Sequence, residues 1–138
     1  AIVYTGCDTK PGTLKTRLCV EANRTFDALC GELGVPFRRC GSLMVSYGPR
    51  ADRVLERKLG QGRENGVEGL ELLSGPAAEG MEPGLASGVF SALYAPGTGT
   101  VEPWVLGIAA FENARDNGCV PLLYAPVTAI RGRGRAMW

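Results

Sequence analysis

Twenty glycines and nine prolines punctuate this chain of 138 residues, and they constrain its fold more than any other feature. Glycine supplies left-handed backbone, and proline fixes φ and removes a hydrogen-bond donor, so each cluster of the two marks a turn or a stop. The apolar runs between the clusters are short. A long helical bundle is therefore excluded, and several short elements are implied. With 45% apolar and 21% charged residues, those elements have ordinary material for a core. The length suits one domain, residues 1–138.

Ile2-Val3 opens the chain as a strand, and Asp8 to Thr13 reads as a turn into a helix that Thr13 or a neighbour can cap. Leu14, Leu18, Ala22, Phe26, Leu29 and Leu33 recur at three- to four-residue spacing. They predict a helix of about 20 residues with that stripe facing inward. Gly34 and Pro36 stop it. Leu43, Val45 and Tyr47 alternate with Ser42, Met44 and Ser46, predicting a strand within 37–47 in which Gly41 marks a bulge. A surface helix follows over 49–65, then a short strand at 70–73, one helical turn within 74–85 and a strand at 89–94. Pro103 is placed to open a helix whose inner stripe is Trp104, Ile108, Phe111 and Ala114, closed by Asn117-Gly118. The fold class expected is α+β (mixed α and β): a mixed or antiparallel sheet with helices packed on one side.

The net charge of +1 argues against nucleic-acid partners and against general attraction to acidic membranes. No apolar run approaches the roughly 20 residues of a membrane helix. The five cysteines are odd in number and form no CxxC, which fits reduced cytosolic thiols rather than a metal site. Histidine is absent altogether, which removes Ser-His and Cys-His nucleophilic pairs. Gly60-x-Gly62-x-x-x-Gly66 and Gly97-x-Gly99 complete neither GxGxxG nor a P-loop and read as turns. Glu64, Glu68, Glu71 and Glu79 read as solvated carboxylates. Lys10 and Lys15 flank Pro11-Gly12, where they could meet an anionic substrate. Arg131 to Arg135 (RGRGR) reads as a frayed end. From these features alone the chain is an α/β domain with no self-contained catalytic set, and the catalytic residue stays unassigned.

One string adds to this. AIVYTGCDTKPGTLKTRLCVEANRTFDALC resembles FAD-dependent oxidoreductases of the group that includes glycerol-3-phosphate and L-2-hydroxyglutarate dehydrogenases. The likeness rests on Ile2-Val3-Tyr4-Thr5-Gly6 and Lys10-Pro11-Gly12-Thr13-Leu14-Lys15. It continues through VPFRRCGSLMVSY at 35–47, ENGVEGLELLS at 64–74, ALYAPGTGTVEPW at 92–104 and APVTAI at 125–130. The resemblance implies an internal piece of a longer enzyme, mostly its substrate domain. Residues 1–8 and about 101–138 would adjoin an FAD-binding domain that carries the phosphate loop. It implies FAD as cofactor, with Val3 and Gly6 near the flavin and Val127 contacting the adenine end through its main chain. It also implies a small anionic substrate near Tyr4, Lys10 and Lys15.

The implied reaction is oxidation of a secondary alcohol, with glycerol 3-phosphate leading and a 2-hydroxy acid or an amino acid as alternatives. A binding module with no redox role is the reading from another class. The implied location is cytoplasmic, or peripheral at the inner membrane face through the full-length protein. One departure stands out: the family usually has His where this chain has Tyr4. An unperturbed tyrosine, with a pKa of about 10, is a poor base at pH 7. The base role therefore does not carry over to Tyr4.

Overall fold

The structure is a computed structural model and describes residues 1–130. Its elements in chain order are β1 (Ile2–Val3), α1 (Leu14–Glu32), β2 (Phe37–Arg39), β3 (Ser42–Ser46), α2 (Pro49–Glu64), β4 (Glu71–Ser74), α3 (Gly75–Met81), β5 (Ser91–Ala95), β6 (Gly99–Val101) and α4 (Pro103–Asp116). All pairings among these strands are antiparallel. The strands form two three-stranded sheets, ordered β1-β6-β2 and β3-β5-β4.

The two sheets are halves of one ladder bent at a bulge. β2 continues into β3 through Cys40-Gly41, while the partner strand runs from β5 to β6 through Pro96-Gly97-Thr98. Two residues on one side therefore face three on the other. The N–H groups of Cys40 and Gly41 both donate to the Thr98 carbonyl, at 3.1 and 2.9 Å, and Gly41 takes a φ of +70°. The bulge expected at Gly41 is thus present, and it re-aims the strand into the second sheet.

Helix α1 forms as its sequence demands. Thr13 has extended backbone and its side chain accepts from the Thr16 N–H at 3.3 Å. At the other end Gly34 sits at φ +66°, and the Val35 N–H reaches back to the Cys30 carbonyl at 2.8 Å. That arrangement satisfies carbonyls the helix cannot pair internally.

Three small cores hold the layers. Leu93 and Ala95 of β5 pack with Leu55 of α2 and with Leu70. Ala92, on the opposite face of β5, packs with Ala78 of α3 and with Val89. The second sheet is therefore covered on both faces, which corrects the expectation of helices on one side only. The cause is β5 itself, a central strand buried at four of five positions. Such a strand has to be roofed twice. The first sheet is covered by Cys30 of α1 with Val35 and Val101, against which Phe26, Phe37, Leu106 and Ala109 are packed.

Two helix faces differ from expectation. The buried residues of α1 are Thr16, Val20, Asn23 and Cys30, whereas Leu14, Leu18 and Leu29 of the expected stripe are exposed. In α4 the half-buried residues are Leu106 and Ala109, while Trp104, Ile108 and Phe111 face outward. Each helix has a small or partly polar face toward its own sheet and a more apolar face that nothing among the described residues covers. Periodicity located both helices; it chose the wrong side of α4, and of the α1 stripe only Phe26 and Leu33 pack against the core. Residues 75–81 form a seven-residue helix, longer than the single turn expected. Residues 125–130 form no strand, and Val127 is 82% exposed. The RGRGR run at 131–135 lies outside the described residues.

The cysteines differ sharply in setting. Cys30 is buried, while Cys40 and Cys119 are exposed. Burial, and secondarily the Asp27 carboxylate, push the Cys30 thiol above its ordinary pKa. Iodoacetamide is expected to label Cys40 and Cys119 promptly and Cys30 only after unfolding, as read by mass spectrometry of tryptic peptides. A thiol pKa raised by folding also favours the fold below the unfolded thiol pKa, and that contribution is lost as pH rises through the folded value.

Candidate functional site

The segment from Tyr4 to Thr9 is a tight turn held from two sides by asparagines. From α1, Asn23 Nδ2 donates to the carbonyls of Tyr4 (3.1 Å) and Gly97 (3.0 Å). From the end of α2, Asn65 Nδ2 donates to the carbonyls of Gly6 (2.9 Å) and Thr9 (2.8 Å). Inside the turn Thr9 Oγ1 donates to the Gly6 carbonyl at 2.7 Å, and the Cys7 N–H donates to Thr5 Oγ1 at 3.3 Å. Thr5 and Thr9 are buried, but the Tyr4 side chain is 62% exposed. The backbone of the turn is thus held while the Tyr4 phenol is left exposed.

Arg39 backs this turn. Its Nε and Nη2 donate to Asp27 Oδ2, Nη2 to the Asn23 carbonyl at 2.6 Å, and Nη1 to Asn23 Oδ1 at 3.0 Å and to the Gly97 carbonyl. All five guanidinium N–H groups are thereby used. The guanidinium also lies 5.4 Å from the Phe37 ring centroid, within cation–π range.

The other expected site residues are placed differently. Lys10 is exposed on the loop into α1, and Lys15 is exposed in the first turn of that helix. The Lys10 carbonyl is anchored by Thr13 Oγ1 at 2.8 Å and by Thr16 Oγ1 at 2.5 Å, so the loop backbone is held while the Lys10 side chain is exposed. A cavity of about 420 Å³ beside it is lined by Thr13, Thr16, Arg17, Glu64 and Asn65. A second, of about 180 Å³, is lined by Thr5, Asn23, Arg24, Arg39 and Glu68 among others. Tyr4, Lys10 and Lys15 line neither cavity.

Gly6, at φ +87°, lies so close to α1 that a Cβ would meet Val20 Cγ2 at 3.1 Å and Cys19 Cβ at 3.2 Å. The turn and the helix behind it are therefore enough to require glycine there. Val3 is half-buried against the core of the first sheet. Asn23, Asn65 and Arg39 are not legible as site residues from the sequence. The one available signal is a polar residue, Asn23, among the apolar positions of an amphipathic helix.

A family model described as FAD dependent oxidoreductase matches residues 1–138. The chain is 42% identical over 118 residues, 86% of its length, to a glycerol 3-phosphate dehydrogenase of Caloramator mitchellensis, of which it covers 25%. It is 31% identical over 121 residues to the mitochondrial L-2-hydroxyglutarate dehydrogenase of Mus musculus, covering 85% of this chain and 25% of that one. In structure it is similar to an L-alpha-glycerophosphate oxidase of Mycoplasma pneumoniae, with a TM-score of 0.78 at 20% identity over 84% of this chain and 31% of that one. Glycine oxidase of Geobacillus kaustophilus is similar at a TM-score of 0.74 and 23% identity, covering 85% and 33% of the two chains. The chain belongs to the FAD-dependent oxidoreductase family. It spans about a quarter of the length of the curated relatives it matches.

No GxGxxG occurs in the sequence to bind the phosphates of FAD.

Proposed function

We propose that this chain is the substrate-domain part of an FAD-dependent dehydrogenase that oxidises a secondary alcohol of a small anion, glycerol 3-phosphate first. The observation that carries this reading is the 42% identity, over 86% of the chain, to a glycerol 3-phosphate dehydrogenase. A 2-hydroxy acid substrate is the second reading, favoured by the L-2-hydroxyglutarate dehydrogenases at 28–31% identity. Bound FAD would accept the hydride. On the protein side, Tyr4 orients the substrate by donating its phenolic hydrogen, and Lys10 and Lys15 draw in its negative charge. The base that takes the hydroxyl proton lies elsewhere, because Tyr4 is unsuited to that role.

The exposed apolar faces complete the reading. Leu14, Leu18 and Leu29 of α1 and Trp104, Ile108 and Phe111 of α4 pack against the remainder of the same polypeptide, with residues 1–8 and 101–138 at the FAD-binding domain. No helix among the described residues is long and apolar enough to cross a membrane. A cytoplasmic enzyme, or one peripheral at the inner membrane face, fits, and cell fractionation checks it.

Two measurements test the function. In the full-length protein, dye reduction with a panel of glycerol 3-phosphate, 2-hydroxyglutarate and amino acids is expected to give the highest kcat/KM with glycerol 3-phosphate. A preference for an amino acid, or no turnover with any of them, would sink the proposal. The 138-residue chain alone is expected to bind no FAD at micromolar concentration, since it has no phosphate-binding loop. Stoichiometric quenching of flavin fluorescence on titration would refute that.

A further inference from the structure

We infer that Asn23, backed by Arg39, is a positioning residue that sets the direction in which the Tyr4 phenol leaves the chain. The inference rests on the reading of Tyr4 as a substrate-orienting group. Asn23 occupies the sheet-facing side of α1 and is 9% exposed. Burying an amide there is costly unless each of its polar atoms is paired. All are paired, and two of the three bonds go to main chain. Nδ2 holds the Tyr4 and Gly97 carbonyls, and Oδ1 accepts from Arg39. The pattern of donors and acceptors fixes which way the amide points.

Arg39 in turn is held by Asp27, four residues along the same face of α1, and by the Asn23 carbonyl. Constraint therefore runs from Asp27 through Arg39 and Asn23 to the Tyr4 carbonyl, one bond from the Cα that bears the phenol. An apolar residue at 23 would pack against the sheet at lower cost but would leave that carbonyl free to swing. A misplacement of about 1 Å at a group that orients substrate can cost about a hundredfold in rate.

The test uses the full-length, FAD-loaded protein with Asn23→Ala, Arg39→Lys and Tyr4→Phe. Amide hydrogen exchange is followed at residues 4–6 and, as a reference, over Ser91–Ala95. Kinetics are measured with glycerol 3-phosphate and normalised to bound flavin. In Asn23→Ala, exchange at 4–6 is expected to quicken about tenfold or more while the reference is unchanged, with kcat falling about tenfold and KM moving much less. Arg39→Lys keeps the charge beside Asp27 but cannot fill five donor positions, so the same split is expected at smaller amplitude.

Unchanged exchange at 4–6 in Asn23→Ala overturns the inference. So does faster exchange with normal kcat while Tyr4→Phe is impaired, an outcome that leaves the Tyr4 reading standing. A silent Tyr4→Phe overturns the Tyr4 reading and the inference with it, and faster exchange would then mark Asn23 as structural only.

Discussion

Gly75→Ala is expected to lower the melting temperature by about 10 °C, a larger stability loss than any other substitution named above should cause. Gly75 opens α3, and its N–H donates to the Phe90 carbonyl at 3.1 Å. A Cβ at this position would press into the Val89 carbonyl, 2.8 Å from its carbon, with the Phe90 oxygen at 3.3 Å. These are backbone atoms of the approach to the central strand, so no side chain can rotate away to make room. The loss of about 3 kcal/mol would come from pushing α3 off Ala92 and Val89, a large share of a stability of about 5–15 kcal/mol. Gly80, in the same helix with nothing within 4 Å of an added methyl group, is the control. Gly80→Ala is expected to be neutral or to stabilise by about 0.5–1 kcal/mol. Equal melting of the two variants, by circular dichroism, would show that α3 does not seat closely against the approach to β5.

Gly6→Ala is expected to have the largest effect on activity outside the Asn23 pair. The left-handed φ costs an L-residue about 1–2 kcal/mol. The contacts with Val20 and Cys19 then force the turn away from α1, and the Tyr4 carbonyl moves with it. In the full-length enzyme kcat/KM should fall about tenfold or more. Gly12→Ala separates strain from crowding, because Gly12 has a φ of +72° and nothing within 4 Å. It should incur a similar increment of backbone strain yet keep the turn in place. If both variants lose activity equally, crowding against α1 is not what positions the turn.

Much of the fold could be read in the residues. Glycine and proline marked the element ends, Thr13 announced α1, and Gly41 announced the bulge. These are local effects, each fixed by a few neighbouring residues. The face of α4 could not be read, and that of α1 only at Phe26 and Leu33. Their leucines and aromatics form true stripes, but the sheet-facing residues are Thr16, Asn23 and Cys30 in one helix and Leu106 and Ala109 in the other. An apolar stripe marks a face that wants cover without saying what supplies it. Of the candidate site, Tyr4 enters through the family likeness and Lys10 and Lys15 through their place beside Pro11-Gly12. The Asn23–Arg39–Gly97 cluster was not visible, since its members are up to 74 residues apart and only the bulged ladder brings them together. The second roof over β5 was hidden for a related reason: the burial of Ala92 depends on α3, a helix of seven residues with weak periodicity.

The pairing of β1 with β6 also bears on how the chain is made. Ile2 of β1 faces Thr100 of β6, a residue made about a hundred positions later. At a synthesis rate of about 5–20 residues per second, β1 leaves the ribosome about 5–20 s before β6, the strand it pairs with. The Asn23 and Arg39 side chains likewise wait for Gly97. On the ribosome, α1 and the turn before it are therefore made early but locked late, and the nascent chain carries an open apolar edge through most of the synthesis of this segment.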